Sequence, residues 1–328
     1  MKRIYTLFAF LTLFSWISQA QPSTQATNIN FSAVGINGFT INWTNGNGAN
    51  RIVIVNSSAI AFSPAASTTY TANTDFSAGT DLGSGQKCVF NGSGSSVAIT
   101  GLAAGTQYFV RVFEYNGAAA AELYNVSTGT NNPNSRFSLA SAPSVDATAL
   151  TFTSITTTSM TVNMTPGNGS ARMLIAFNGA IGFAPVDGTS YTANSNFTTA
   201  TNQAGNGKIV GLGTGNSFNV TNLTANTSYT FKVVEINGTI ASGSENYFNG
   251  GTPLTGSQST LPNAPSTQAS NITFSSPASN GFTINWTNGN GGNRIVVINS
   301  AAITFSPTAA TTYTANTDFS AGTDLGSG

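Results

Sequence analysis

The chain has 328 residues, of which 40% are apolar and only 6% charged, with ten basic residues balancing ten acidic ones. This length accommodates two or three domains with cores of their own. The neutral balance excludes the electrostatic footprint by which proteins meet nucleic acid or an anionic membrane, and a single cysteine with no histidine excludes a zinc centre.

In chain order, Met1-Lys2-Arg3 precedes the apolar IYTLFAFLTLFSWI and then Ser18-Gln19-Ala20, the three parts of a secretory signal peptide. Cleavage is expected after Ala20. The apolar run is shorter than the ~20 residues of a membrane span, which argues against an anchor, and no later segment is apolar enough to span, so no span is expected once the signal is removed. Without Lys2 and Arg3 the chain keeps eight basic and ten acidic residues, still near neutrality.

Residues 26–85 match 269–328 at a constant offset of 243, with 47 of 60 positions identical and no gap. A diverged copy lies between them: TNGNGANR from Thr44 returns as TPGNGSAR from Thr165 and as TNGNGGNR from Thr287. The repeat of 121 or 122 residues has the length of a domain rather than of a solenoid turn. Within it, GFTINWT alternates Phe39, Ile41 and Trp43 with Thr40, Asn42 and Thr44, as a strand with one buried face requires. RIVIVN from Arg51 is a β-branched run, and SVAITGL from Ser96 alternates again. Asn-Gly, Gly-Asn and Gly-Ser pairs between these segments mark turns. Many short strands and no helical spacing predict an all-β chain of sandwiches.

GLAAGTQYFVRVFEYN from Gly101 and NLTANTSYTFKVVEIN from Asn222 carry a family resemblance. Leu102, Thr106, Tyr108, Val110 and Val112, with Leu223, Thr227, Tyr229, Phe231 and Val233, resemble the tyrosine-corner segment of fibronectin type III domains. Trp43 matches that family's core tryptophan, and Met164 stands in its place in the second copy. The resemblance implies tandem fibronectin-III or immunoglobulin-like β-sandwiches, two complete and one truncated. The expected divisions are a signal peptide at 1–20, repeats at 21–138 and 139–262, and a partial repeat at 263–328. The stretch Ser57–Ser95 is longer than the family's usual connection. Elongated units of this kind look like those of secreted and surface proteins of Bacteroidetes-type bacteria.

Residues that could carry chemistry read as structural. Cys88 has no histidine to activate it and is replaced by Ile209 in the second copy, so a buried apolar thiol is expected. Asp75 and Asp81 stand among Gly and Ser but become Asn196 and Asn202, a loss of charge that would dismantle a calcium site. Glu114 and Glu235 recur without the second repeated carboxylate a glycosidase needs. The GNGANR loops lack the Gly-Lys-Ser/Thr of a phosphate cradle. Tyr70, Tyr191 and Tyr313 have the chemistry to stack on sugar rings, but are read as anchors for their own loops.

No catalytic, cofactor-binding or metal-binding residue is expected. The sequence reads as an exported, non-enzymatic repeat region at the cell surface, a spacer or adhesion module meeting an extracellular glycan or protein. The alternative is an accessory region of a larger secreted hydrolase, polysaccharide- or protein-degrading, whose catalytic domain is absent from this chain. The resemblance implies a third strand antiparallel to the sixth, so Arg51 with Glu114, and Arg172 with Glu235, are expected to pair at one pole of each sandwich, with Arg294 lacking a glutamate. The third copy is expected to hold the first three strands and the long insert of a repeat, as a fragment whose continuation resembles QKCVFNGSG; with no facing sheet for Phe282, Ile284 and Trp286, it is expected to be partly disordered or to borrow strands from a first repeat in another molecule.

Overall fold

The computed structural model describes residues 20–326, so the signal-peptide reading lies almost wholly outside the described residues. Strands β1 (Thr27–Ser32), β2 (Phe39–Thr44), β3 (Asn50–Asn56), β4 (Lys87–Gly92), β5 (Ser96–Ile99), β6 (Gln107–Asn116), β7 (Leu123–Tyr124) and β8 (Asn134–Phe137) build the first sandwich. One sheet has the order β1-β2-β5; the other runs β4-β3-β6-β7, with β8 also pairing β6. The second sandwich repeats this plan with β9 (Thr148–Thr153), β10 (Met160–Thr165), β11 (Ala171–Phe177), β12 (Lys208–Gly213), β13 (Ser217–Val220), β14 (Ser228–Asn237), β15 (Asn246–Tyr247) and β16 (Thr255–Ser259). The chain is therefore all-β, a tandem of sandwiches.

Alternation in β2 places Phe39, Ile41 and Trp43 in the core between the sheets, where they meet Val53, Val55, Val97, Ile99, Val110 and Val112. Tyr108 closes this core at the expected corner, its hydroxyl accepting from the Ala103 amide at 2.9 Å; Tyr229 and Thr224 repeat the bond at 2.9 Å. Met164 fills the tryptophan's place in the second core.

The β-branched run of β3 is buried on both faces. Val53 and Val55 face the other sheet, while Ile52 and Ile54 face outward into a second core with Cys88, Phe113, Tyr115 and Tyr124. That outer core is roofed by the long insert, through Ile60, Phe62, Tyr70, Ala72 and Leu82. Strands covered on both sides read as continuous apolar runs, and the insert is what covers them here. Phe183 and Tyr191 serve the second sandwich in the same way.

The third copy forms two of the three strands of the half-unit. Strands β17 (Ser270–Ala278) and β18 (Gly281–Thr287) form a lone hairpin, but RIVVIN at 294–299 takes no regular structure. A strand bonded on both sides needs two neighbours, and the described residues hold no third-copy counterparts of β4 and β6 to supply them. Phe282 is 51% exposed where Phe39 is 2%, and Trp286 37% where Trp43 is 5%.

Candidate functional site

The most elaborate polar cluster lies where the β2–β3 loop closes over the end of β6. Arg51 and Glu114 stand directly opposite in the ladder between β3 and β6. Their side chains meet at 3.0 Å with exposures of 3% and 0%. Glu114 Oε1 accepts from the Gly46 amide at 2.9 Å and Arg51 Nε at 3.1 Å; Oε2 accepts from the Gly48 amide at 3.1 Å and Arg51 Nη2 at 3.0 Å. The remaining guanidinium protons go to the carbonyls of Ser93, Gly94 and Gly48. The Gly-Asn-Gly sequence follows from this closure. A Cβ on Gly46 would stand 2.1 Å from the Thr24 carbonyl oxygen, and one on Gly48 2.8 Å from Glu114 Oε2.

The second sandwich repeats the cluster. Glu235 accepts from Gly167, Gly169 and Arg172, whose guanidinium also reaches the carbonyls of Thr214, Gly215 and Gly169. The expected pairs thus form, but buried, so the small worth of an exposed pair does not apply to them. With four donors on Glu114 and three on Glu235, each carboxylate clamps its glycine loop to the sheet. In the third copy Arg294 is exposed, and its Nη2 donates at 2.9 Å to the Gly291 carbonyl.

The other residues singled out from the sequence are engaged locally. Cys88 is buried, its thiol donating to the Phe90 carbonyl at 3.2 Å, and burial pushes its pKa up to about 12. Such a thiol is protonated and unreactive at neutral pH. Asp75 Oδ1 accepts from the Ser77 hydroxyl at 2.6 Å and amide at 2.9 Å, and the hydroxyl holds its carboxyl below the usual range. Asn196 Oδ1 makes the same two bonds to Thr198, which explains why an amide replaces the acid. Asp81 accepts from the Gly83 and Gly85 amides. Among the described residues no group of three His, Cys, Asp or Glu side chains could hold a metal ion.

The insert tyrosines of the two sandwiches pack inward. Tyr70 stacks edge-on against Phe62 and Tyr124, with ring centroids at 5.2 and 5.8 Å, and Tyr191 does so against Phe183 and Tyr247. The hydroxyls of Tyr70, Tyr191 and Tyr313 each accept from a backbone amide five residues upstream, at Ala65, Val186 and Thr308. That spacing is the one seen at Tyr108 and Tyr229, so each insert carries a corner of its own.

Two features escaped the sequence reading. Glu122 and Glu245 tie the β6–β7 and β14–β15 loops to the inserts through the hydroxyls of Thr69 and Ser190. The signal was present as Glu-x-Tyr before each short strand, hidden by a two-residue insertion in the second copy. Arg136, on β8, reaches across to the second sandwich, its Nη2 donating to the carbonyls of Gly188 at 3.1 Å and Gly243 at 3.2 Å. Leu139 is buried beside it.

No family model matches this chain, and no curated protein matches it. Among solved structures it is similar to a two-domain fibronectin type III segment of chicken tenascin, at 14% identity over 74% of this chain and 100% of that one, with a TM-score of 0.26. Chicken CNTN1 domains FN1–FN3 match at 14% identity over 74% and 66% of the two chains, with a TM-score of 0.40. The central fibronectin-III array of RIM-binding protein matches at 9% identity over 80% and 79%, with a TM-score of 0.22. The sandwich assignment rests on the strand order, ladders and tyrosine corners given above.

Proposed function

We propose that the chain is an exported, non-enzymatic spacer or adhesion region, with a signal peptide at 1–20, sandwich units at 21–138 and 139–262, and a partial unit at 263–328. The observation that carries this reading is the joint between the first two sandwiches. Arg136 and Leu139 fix one sandwich against loops of the next, as a spacer that holds distance and orientation requires. At the end of the second sandwich, the position opposite Tyr229 that corresponds to Arg136 is Gln258, whose amide turns back to the Ser259 carbonyl. The clamped ion pairs, buried thiol and inward-packed tyrosines support a structural role for the groups with chemical potential. What the surface offers a glycan or protein is neutral hydroxyl and amide chemistry.

The test is domain orientation in solution. Residual dipolar couplings of the wild type are expected to fit one relative orientation of the two sandwiches, and Arg136→Ala to reduce the fitted interdomain order while each sandwich stays folded. Unchanged interdomain order in the variant, or independent tumbling in the wild type, would contradict the spacer reading.

A further inference from the structure

The smaller sheets of the two sandwiches carry no charge. Strands β1, β2 and β5, and β9, β10 and β13, hold no Asp, Glu, Lys or Arg, whereas strands of the larger sheets hold basic residues and the two clamp glutamates. Ordinary soluble domains are ~25% charged, and edge strands in particular use charge to deter pairing. Here the outward side chains form a neutral grid instead. Thr151, Asn163 and Ser217 stand side by side across three strands, and Thr153, Thr161 and Asn219 make the next row. The first sandwich has Asn30, Asn42 and Ser96, then Ser32, Thr40 and Ala98. The outer members of each row are exposed and the central ones half-buried between them. Asn42 Nδ2 donates to the Ser32 hydroxyl at 3.0 Å, Asn163 Nδ2 to the Thr153 hydroxyl at 3.0 Å, and the Ser217 hydroxyl to Asn163 Oδ1 at 2.8 Å, so the grid is braced from strand to strand.

The two copies have diverged against the usual direction on this face. Between β2 and β10 every inward residue has changed, Phe39 to Met160, Ile41 to Val162 and Trp43 to Met164. Every outward one is the same: Thr40 with Thr161, Asn42 with Asn163, Thr44 with Thr165. A strand held only by its fold would do the opposite, because a close-packed core feels a single methylene while exposed polar positions accept most substitutions. Strand propensity would admit valine, isoleucine or tyrosine at the threonines, and it disfavours asparagine. Side chains kept on a solvent face while the core beneath them changes point to something bound there.

We propose that the outer faces of the smaller sheets bind an uncharged polysaccharide; the proposal takes the adhesion reading above as its premise and names its partner. Each threonine hydroxyl both donates and accepts, as does each asparagine amide, which is the two-way chemistry that sugar hydroxyls present. Threonine is stiff at χ1, so little side-chain freedom is lost on binding. The grid holds none of the Tyr, Trp, Phe, Met or Arg on which protein interfaces depend, and no cation for a sulfate or phosphate. With no aromatic platform a single face binds weakly. The tandem compensates, because Arg136 fixes the two sandwiches against one another and a long polymer meets both faces at once.

Adsorption of the full chain to cellulose, chitin, starch and mannan, with heparin beads and immobilised collagen beside them, tests this. Retention is expected on at least one of the uncharged polysaccharides and not on heparin, and it should survive about 0.5 M salt because no ion pair is made. Thr40→Val, Thr161→Val and Thr283→Val together remove one hydroxyl from the middle of the face in each copy, and should weaken retention at least about 10-fold. Ser32→Glu, Thr153→Glu and Ser275→Glu together place charge at the exposed edge of the same rows and should do likewise, with the denaturant midpoint of Trp43 unchanged in at least one of the two variants. Retention on none of the polysaccharides, retention on collagen alone, or retention unchanged in a folded variant would overturn the proposal. If the dipolar couplings still fit one orientation of the sandwiches in that event, the spacer reading stands and the polysaccharide assignment alone falls.

Discussion

Glu114→Ala is expected to destabilise the first sandwich by about 3–5 kcal/mol, the range for removing one member of a buried, hydrogen-bonded ion pair. The magnitude follows from what is left behind. The Arg51 guanidinium would remain 3% exposed without its counter-charge, and the amides of Gly46 and Gly48 would lose their acceptor where the loop folds over β6. Each such loss alone costs about 1–3 kcal/mol. The two sandwiches can be followed separately, because Trp43 is buried in the first core and its place in the second is held by Met164. Denaturant titration by tryptophan fluorescence should show the loss for Glu114→Ala and leave the Trp43 transition in place for Glu235→Ala. A change below about 1 kcal/mol, the worth of an exposed pair, would contradict the clamp.

Phe113→Ala is expected to cost a similar amount, about 3–5 kcal/mol, for a different reason. Its ring is fully buried in the outer core, 6.2 Å from Phe62 and beneath the Arg111 guanidinium. Removing it takes away the surface on which the insert rests. The second sandwich has Val234 at this position and the larger Met173 where the first has Ile52, so volume is shared differently between the same two sites. Besides the lost stability, the variant should free residues 57–86, seen as faster exchange of the Asn73 amide, which donates to the Cys88 carbonyl at 3.0 Å. A stable variant with a fully protected insert would show that the insert is not held by this core.

Much of the sandwich was legible from local pattern. The alternation of GFTINWT assigned the buried face of β2, because it depends on neighbours along the chain, whereas the corner at Tyr108 was legible only through the resemblance to fibronectin type III domains. The ladder position of Arg51 against Glu114 was legible from the strand order that the resembled fold implies. Its burial was not, since that depends on a glycine loop folding over the pair. The insert was hidden for a related reason: Phe62, Tyr70 and Leu82 follow no period, their backbone being irregular, although together they cover a sheet face. The third copy shows the limit from the other side. GFTINWT is identical at 38–44 and 281–287, yet Phe39 and Trp43 are buried while Phe282 and Trp286 are exposed. RIVIVN is a strand where β4 and β6 flank it, and RIVVIN is irregular where the described residues hold no counterparts of those two strands.

That contrast rests on one claim: closure of the larger sheet on both faces, by the opposing sheet and by the insert, holds each unit together, and identical residues without it stay open. Native-state amide exchange on the chain, shown to be monomeric by sedimentation, tests the claim directly. Amides of residues 51–56 and 172–177 should exchange only through unfolding of their sandwiches, the Asn73 and Asn194 amides of the inserts should also be protected, and those of 294–298 should exchange close to the rate of an unstructured peptide. Protection at 294–298 equal to that at 51–55, in the monomer, would contradict it.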